Sequence, residues 1–229
     1  MSRDVRDTYI RQVVAGKSFA DVGGLWGTVN EKVSVAHTHG ARTLSMIDVS
    51  PPDSELWSLF EERRRTLRLP AVECVSADIL TLAEADPRPQ FDVVHCSGVL
   101  YHMPEPMQFL RALRRITGEA LVLTSAITAT RVESAQGVLE LPAAAMLCVP
   151  ALQGREREIV QAYWQGIVGD GAFGITREVA EWSFEDFGPW WWLPTAEALR
   201  AMCEVTGFRY EAGAPSWNGN AYTVRLSVR

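Results

Sequence analysis

Ser18-Phe19-Ala20-Asp21-Val22-Gly23-Gly24-Leu25-Trp26-Gly27-Thr28-Val29-Asn30 is the stretch whose reading decides the fold. Phe19, Ala20 and Val22 make a short apolar run of the kind that becomes a buried central strand. Asp21 sits near its end, Gly23, Gly24 and Gly27 follow at once, and Thr28 to His37 is expected to be a helix. A strand that ends in glycines and opens into a helix lets backbone N–H groups approach a ligand closely. Asp21 selects which ligand. A buried carboxylate there repels a pyrophosphate and suits a cationic amino or sulfonium group.

The segments on either side extend the pattern. Upstream, Val5, Tyr9, Ile10, Val13 and Val14 recur at helical spacing and predict an amphipathic helix. Downstream, Leu44 to Asp48 reads as a second strand finishing on an acid. An acid at that distance from a glycine turn can accept hydrogen bonds from both ribose hydroxyls, and this is the role expected for Asp48. Its plainer alternative is a turn or cap before Pro51 and Pro52. Glu55 to Leu67 is helical, and its mixed charges at Glu61 to Arg65 read as a solvated face. Val72 to Val75 is a third strand. Asp78 then falls where a loop carboxylate can reach an adenine's exocyclic amine, or can cap a short helix from Ile79 to Ala83.

Phe91 to Cys96 is a fourth strand, Pro106 to Ile116 a helix, and Leu121 to Thr124 a fifth strand. Thr195 to Thr206 is a helix stopped by Gly207, and Phe208 to Tyr210 with Ala221 to Leu226 form a closing hairpin. Strand and helix alternate, which predicts an α/β fold with a mainly parallel sheet covered on both faces. The strand holding Phe19 should lie inside the sheet, and the last hairpin should add an antiparallel strand. Between the fifth strand and the last helix, residues 129–193 are of different character, with Tyr163, Trp164, Phe173, Trp182, Phe184, Phe187, Trp190, Trp191 and Trp192 concentrated in the second part. This insertion leaves the carboxyl end of a parallel strand, where such sheets bind ligands, and reads as a lid. Most of its aromatics are expected to form a small core of their own.

Composition removes several functional classes. The 229 residues carry 22 Lys+Arg and 28 Asp+Glu, a formal net charge of −6, so no general affinity for nucleic acid or anionic membrane is expected. No apolar run approaches the roughly 20 residues of a membrane span, and the charged start Met1 to Asp7 contains no apolar signal core. Cys74, Cys96, Cys148 and Cys203 are scattered and form no CxxC pair, as in a reduced, cytoplasmic protein.

Taken in order, these motifs resemble the class I S-adenosylmethionine-dependent methyltransferases, a Rossmann-like fold with a seven-stranded sheet. The likeness rests on Asp21-Val-Gly-Gly-Leu-Trp-Gly27, Asp48, Asp78, and Phe91-Asp-Val-Val-His-Cys-Ser-Gly-Val-Leu-Tyr-His102. It implies S-adenosyl-L-methionine as cofactor, held by Asp21, Gly23, Gly24, Gly27, Asp48, Asp78, Ile79, Cys96 and Ser97. Residues 1–229 would be one methyltransferase domain, with 129–193 as its lid. Gly98 to His102, Pro106 to Leu113 and Trp191 to Phe208 are similar to the branch that modifies the wobble uridine of tRNA. Two departures stand out. Leu25 replaces the family's usual glycine, and from Gly154 to Arg200 four arginines face eight acids, which argues against RNA. A small-molecule acceptor, O-methylated in a biosynthetic step, is the leading expectation. A tRNA-modifying transferase and a catalytically silent partner subunit are the alternatives.

Methyl transfer to a hydroxyl needs alignment and removal of a proton. His102, just past the fourth strand, is the candidate base, with loop ordering as its other possible role, and Tyr101 is the candidate for orienting the acceptor. At least one of Trp190, Trp191 and Trp192 is expected to face the acceptor, since three adjacent side chains cannot all point one way. His37 and His39 fall at the amino edge of the sheet and are read as surface residues, without a metal. His95 is read as a core histidine.

Overall fold

The computed structural model describes residues 4–26, 31–169, 173–184 and 186–229. The chain begins with α1 (Val5–Val13), capped by the Asp4 side chain, and enters β1 (Ser18–Val22). After the glycine turn come α2 (Val33–Thr38), β2 (Thr43–Asp48), α3 (Glu55–Thr66) and β3 (Glu73–Ser76). The helix expected from Thr28 is therefore seen only from Val33; Thr28, Val29 and Asn30 lie outside the described residues. There follow α4 (Ile79–Glu84), β4 (Phe91–Ser97), a 3-10 turn over Leu100–His102, α5 (Pro106–Ile116) and β5 (Thr117–Ala126).

The insertion supplies a hairpin of β6 (Arg131–Ser134) and β7 (Gly137–Glu140), then β8 (Met146–Cys148), α6 (Gly154–Val168), α7 (Phe173–Thr176) and β9 (Trp192–Pro194). The chain ends with α8 (Ala196–Val205), β10 (Phe208–Ser216) and β11 (Ala221–Val228).

Seven strands form one sheet in the order β10-β11-β5-β4-β1-β2-β3. β1 is parallel to β2 on one side and to β4 on the other, so it lies inside the sheet. β11 alone reverses direction, pairing antiparallel with both β5 and β10. This is the Rossmann-like, mostly parallel sheet that strand–helix alternation predicts. Strand order turns around between β1 and β4, and a crevice opens at their carboxyl ends.

Alternation along the strands builds two cores. Ala20, Val22, Val94, Cys96, Leu121 and Leu123 face α4, α5 and α8, where Phe109, Leu110, Leu113 and Leu199 are fully buried or nearly so. Phe19, Leu44, Met46, Val93 and Val122 face α1, α2 and α3 and pack on Ile10, Val33 and Phe60. Each such side chain contributes about 1.5–3 kcal/mol by leaving water. Among the buried polar residues of the second face, Asp21 on β1 lies opposite His95 on β4.

The insertion has a third core. Val149, Leu152, Val160, Trp164, Ile175, Trp190 and Leu193 pack together and onto Tyr101 of the turn after β4 and Ala126 of β5. Trp190 stands edge-on to Trp164, with centroids 4.8 Å apart, and to Tyr101 at 5.0 Å. No space remains beside it, since a methyl on Gly174 would overlap its ring. Trp190→Ala should therefore cost about 3–5 kcal/mol. The expected readout is a lowered denaturation midpoint, or early hydrogen exchange across Gly154–Val168 with the main sheet still protected.

Candidate active site

At the crevice lies a cavity of about 860 Å³. Its floor is the β1 turn with Asp21, Gly23 and Gly24. Asp48 closes it beyond β2, Asp78 and Ile79 beyond β3, and Ser97, Gly98, Tyr101 and His102 beyond β4. Arg6 of α1, Trp217 of the closing hairpin, and Arg177, Asp186 and Phe187 of the insertion complete the wall. A smaller hollow of about 390 Å³ lies between α1, α2 and α3 beside His39, away from the crevice. Among the described residues no His, Cys, Asp or Glu cluster could hold a metal ion.

The β1 turn depends on its glycines. Gly23 has φ +75°, a left-handed conformation that costs other residues free energy, and a side chain there would collide with Val99. A Cβ on Gly24 would lie 2.7 Å from Asp21 Oδ2 and 2.9 Å from Met46 Cε. Gly27, also expected at this site, lies outside the described residues. Leu25, which departs from the family pattern, turns into the core beside α1 and α2 and is 1% exposed.

The three acids differ in how they are held. Asp48 accepts from the Ser50 N–H at 2.9 Å and the Ser50 hydroxyl at 2.7 Å through Oδ1. Among the described residues its Oδ2 has one long contact, 3.4 Å from the Leu25 N–H, which leaves room for a ligand's donors. Asp78 caps α4 through the Leu80 N–H at 3.1 Å and also lies on the cavity wall. Asp21 has both oxygens engaged, Oδ1 by His95 Nδ1 at 2.7 Å and Oδ2 by the Lys32 N–H at 2.7 Å.

Three placements correct the sequence reading. Cys96 is absent from the cavity wall: strand alternation turns its side chain into the opposite core, where burial pushes the thiol pKa far up. His95 belongs to the wall rather than to the apolar core alone. None of Trp190, Trp191 and Trp192 lines the cavity. Trp190 fills the insertion's core, Trp191 sits between Trp182 and a stacked Phe184, and Trp192 donates its indole N–H to the Pro104 carbonyl at 2.9 Å. The aromatics at the cavity are instead Trp26, Phe187 and Trp217 along with Tyr101 and Phe109. Trp217 was hidden in the sequence inside a Gly/Asn-rich turn. Its φ of +46°, unusual for so large a residue, accompanies a side chain laid beside Gly98.

Arg6 was also missed, because helical periodicity says nothing of where a helix's polar end points. It reaches Ser97 Oγ from Nη1 at 3.2 Å and pairs with Asp4. Arg177 pairs with Asp186 at the opposite rim.

His102 is held by the insertion. Its Nδ1 lies 2.9 Å from the Pro189 carbonyl, which can only accept, so Nδ1 carries the proton and Nε2 keeps a lone pair. Desolvation lowers its pKa below the usual histidine value, against the pull of the Pro189 and Gly188 carbonyls and of Asp186. The site thus holds a neutral imidazole with one basic nitrogen. Burial pushes the Tyr101 phenol well above its ordinary range, so beside His102 it is a hydroxyl donor and no base.

Residues 20–119 match a family described as a methyltransferase domain. No curated protein matches the chain by sequence. Solved structures share its fold at low identity. Magnesium protoporphyrin IX methyltransferase from Synechocystis, with S-adenosylhomocysteine bound, aligns with 98% of this chain and 82% of its own at 13% identity, TM-score 0.59. Mitomycin 7-O-methyltransferase aligns with 98% of this chain and 53% of its own at 14% identity, TM-score 0.58. The N-methyltransferase NodS from Bradyrhizobium japonicum aligns with 98% of this chain and 94% of its own at 14% identity, TM-score 0.55.

The state of His102 can be read directly. Nitrogen-15 NMR of the imidazoles should show His102 as the Nδ1–H tautomer at neutral pH, protonating only below the ordinary histidine range. An Nε2–H tautomer, or protonation above that range, would contradict the geometry.

Proposed function

We propose that this chain, whose residues 20–119 match a methyltransferase domain family, is an S-adenosylmethionine-dependent enzyme that O-methylates a small-molecule acceptor in a biosynthetic step. His102 carries this reading, as a neutral imidazole whose Nε2 can take the acceptor's proton. When bound, S-adenosylmethionine supplies a methyl carbon on a positively charged sulfur that is already activated as a leaving group. The wall's donor set fits such a ligand. Asp48 Oδ2 suits the ribose hydroxyls, Asp78 and Ile79 the adenine, and Gly23 and Gly24 permit close backbone approach. Arg6 is the cation suited to the amino-acid carboxylate, and Ser97 holds it there.

His102 takes the hydroxyl proton at Nε2 as attack proceeds, while Nδ1–H stays on Pro189. The Pro189 and Gly188 carbonyls and Asp186 stabilise the imidazolium that results. Tyr101 can donate a hydrogen bond that orients the acceptor. Residues 129–193 act as the lid of a single domain, supplying the carbonyl that fixes the imidazole and the rim formed by Arg177, Asp186 and Phe187.

The tRNA alternative is weakened by charge. Arg131, Arg157 and Arg177 of the insertion are each paired with an acid of the insertion, so they are not free for phosphates. Among the described residues no helix is long and apolar enough to cross a membrane. The four cysteines are all unpaired, which fits a reducing cytoplasm. The silent-subunit alternative drew on Leu25, and the buried position of that side chain, clear of the cavity wall, weakens it.

Three measurements test the reading. Asp48→Ala should weaken S-adenosylhomocysteine binding about ten- to hundredfold by calorimetry; an unchanged affinity would leave Asp48 a turn residue. His102→Ala and His102→Gln should each lower kcat by roughly 10²–10⁴. The wild-type rate should rise with pH on a limb below the usual histidine range, because only the unprotonated imidazole accepts the proton. A kcat within a few-fold of wild type in both variants would reduce His102 to a loop-ordering residue.

A further inference from the structure

Trp217 is held in the cavity wall by a backbone conformation that its size disfavours. Trp217 and Asn218 have φ of +46° and +57°, two successive left-handed residues with no glycine between them. A bulky residue in that region is strained, and such strain persists only where surrounding contacts impose it. Asn220 imposes it here. Its backbone N–H and its side-chain amide both donate to the Trp217 carbonyl, each at 3.2 Å. Its Oδ1 accepts from the Tyr163 hydroxyl of α6 at 2.9 Å, and its carbonyl accepts from the Ile127 N–H at 3.1 Å. The turn between β10 and β11 is thus pinned to the insertion and to the chain just past β5. The pinned turn delivers an indole to the wall: a Cβ built on Gly98 would lie 3.7 Å from Trp217 Cη2 and 3.8 Å from the Tyr101 hydroxyl oxygen. Core packing does not account for that placement, because Trp217 stays 39% exposed.

Sheet order divides the cavity. Asp21 of β1, Asp48 of β2 and Asp78 beyond β3 lie to one side of β4, whereas Trp217 comes from the hairpin on the other side, past β5. Its neighbours there include Tyr101, against the same glycine, and His102, whose ring centroid is 4.2 Å from that of Tyr101. Phe187, also on the wall, precedes the Gly188 and Pro189 carbonyls that face His102. Arg177 and Asp186 of the insertion pair with each other on this side. Neither offers an uncompensated charge to an ionic acceptor.

We propose that Trp217 selects the acceptor, and that the acceptor it takes is a neutral, flat aromatic ring carrying the hydroxyl, a phenol, in preference to a saturated alcohol. The inference rests on the reading of this site as one that O-methylates an acceptor placed at His102. An exposed indole attracts another ring by offset stacking or edge contact, beyond what the burial of apolar area supplies to any hydrocarbon of that size. The chemistry of the base agrees. A phenol ionises near pH 10, as tyrosine does, and a saturated alcohol is far less acidic. Burial lowers the basicity of His102, so the more acidic hydroxyl is the better match.

Calorimetric titration of the protein saturated with S-adenosylhomocysteine tests the proposal, with 2-naphthol and decahydro-2-naphthol as probes of one carbon skeleton. The wild type should bind 2-naphthol about three- to tenfold more tightly than the saturated alcohol. Trp217→Leu keeps an apolar side chain without a ring, and should reduce that ratio to less than about twofold. Equal binding of the two probes by the wild type, or a ratio that survives in Trp217→Leu, would overturn the proposal. So would binding of neither probe by a protein that binds S-adenosylhomocysteine. Should Trp217→Leu not fold, a crystal structure of the wild type with S-adenosylhomocysteine and 2-naphthol decides the matter. The naphthol ring should then lie within about 7 Å of the Trp217 indole, centroid to centroid, and a ring seated elsewhere would overturn the idea. Failure to bind S-adenosylhomocysteine at all would instead overturn the reading of the cavity, and this inference with it.

Discussion

The turn at Gly23 is the constraint on which the site depends. The chain leaves β1 between two parallel neighbours, with φ +75° and no room for a side chain against Val99. Only that exit lets Gly24 pass under the Asp21 carboxylate and sends Leu25 into the core. The Leu25 amide then reaches Asp48, and the Lys32 amide reaches Asp21. Two acids from two strands thus each accept a backbone amide from between β1 and α2. Asp21 in turn fixes the imidazole of His95 across the strand pair, so the arrangement extends from β2 to β4.

A second set of contacts governs the other side of the cavity. The segment after β4 receives the Trp191 N–H on the Tyr101 carbonyl at 2.8 Å and the Trp192 indole N–H on Pro104, and His102 donates to Pro189. Each bond adds only about 0.5–1.5 kcal/mol net. The aromatic core of Trp164, Trp190 and Tyr101 behind them supplies most of the cohesion, and the bonds supply the direction. The imidazole is therefore tied to the insertion, whereas the glycine turn is anchored to the sheet.

The sheet was legible because its signals are local. Apolar runs, glycine punctuation and helical spacing gave the seven strands and their covering helices in order, and Asp48 and His102 followed from their places at strand ends. What was not legible depends on side-chain direction across long separations. At least one of Trp190 to Trp192 was expected at the ligand edge that the insertion leaves, but a cluster of large apolar rings gains more by packing on itself than by lining a wet cavity. Trp217 took that position from a turn whose residues announce only a hairpin. Arg6 and His95 escaped for a related reason: periodicity assigns a face, and whether that face ends at a cavity depends on strands far away in the chain.

The Nδ1 contact to Pro189 has a consequence for modularity. The base candidate sits on the main sheet's own loop, but the carbonyl that selects its basic nitrogen is built into the insertion. Exchange of residues 129–193 for the corresponding segment of another protein of this fold would therefore replace more than one rim of the cavity. It would also replace the contact that sets the tautomer of His102. A graft that kept the shape of the cavity rim but not that one carbonyl would leave the imidazole free to turn its other nitrogen to the cavity.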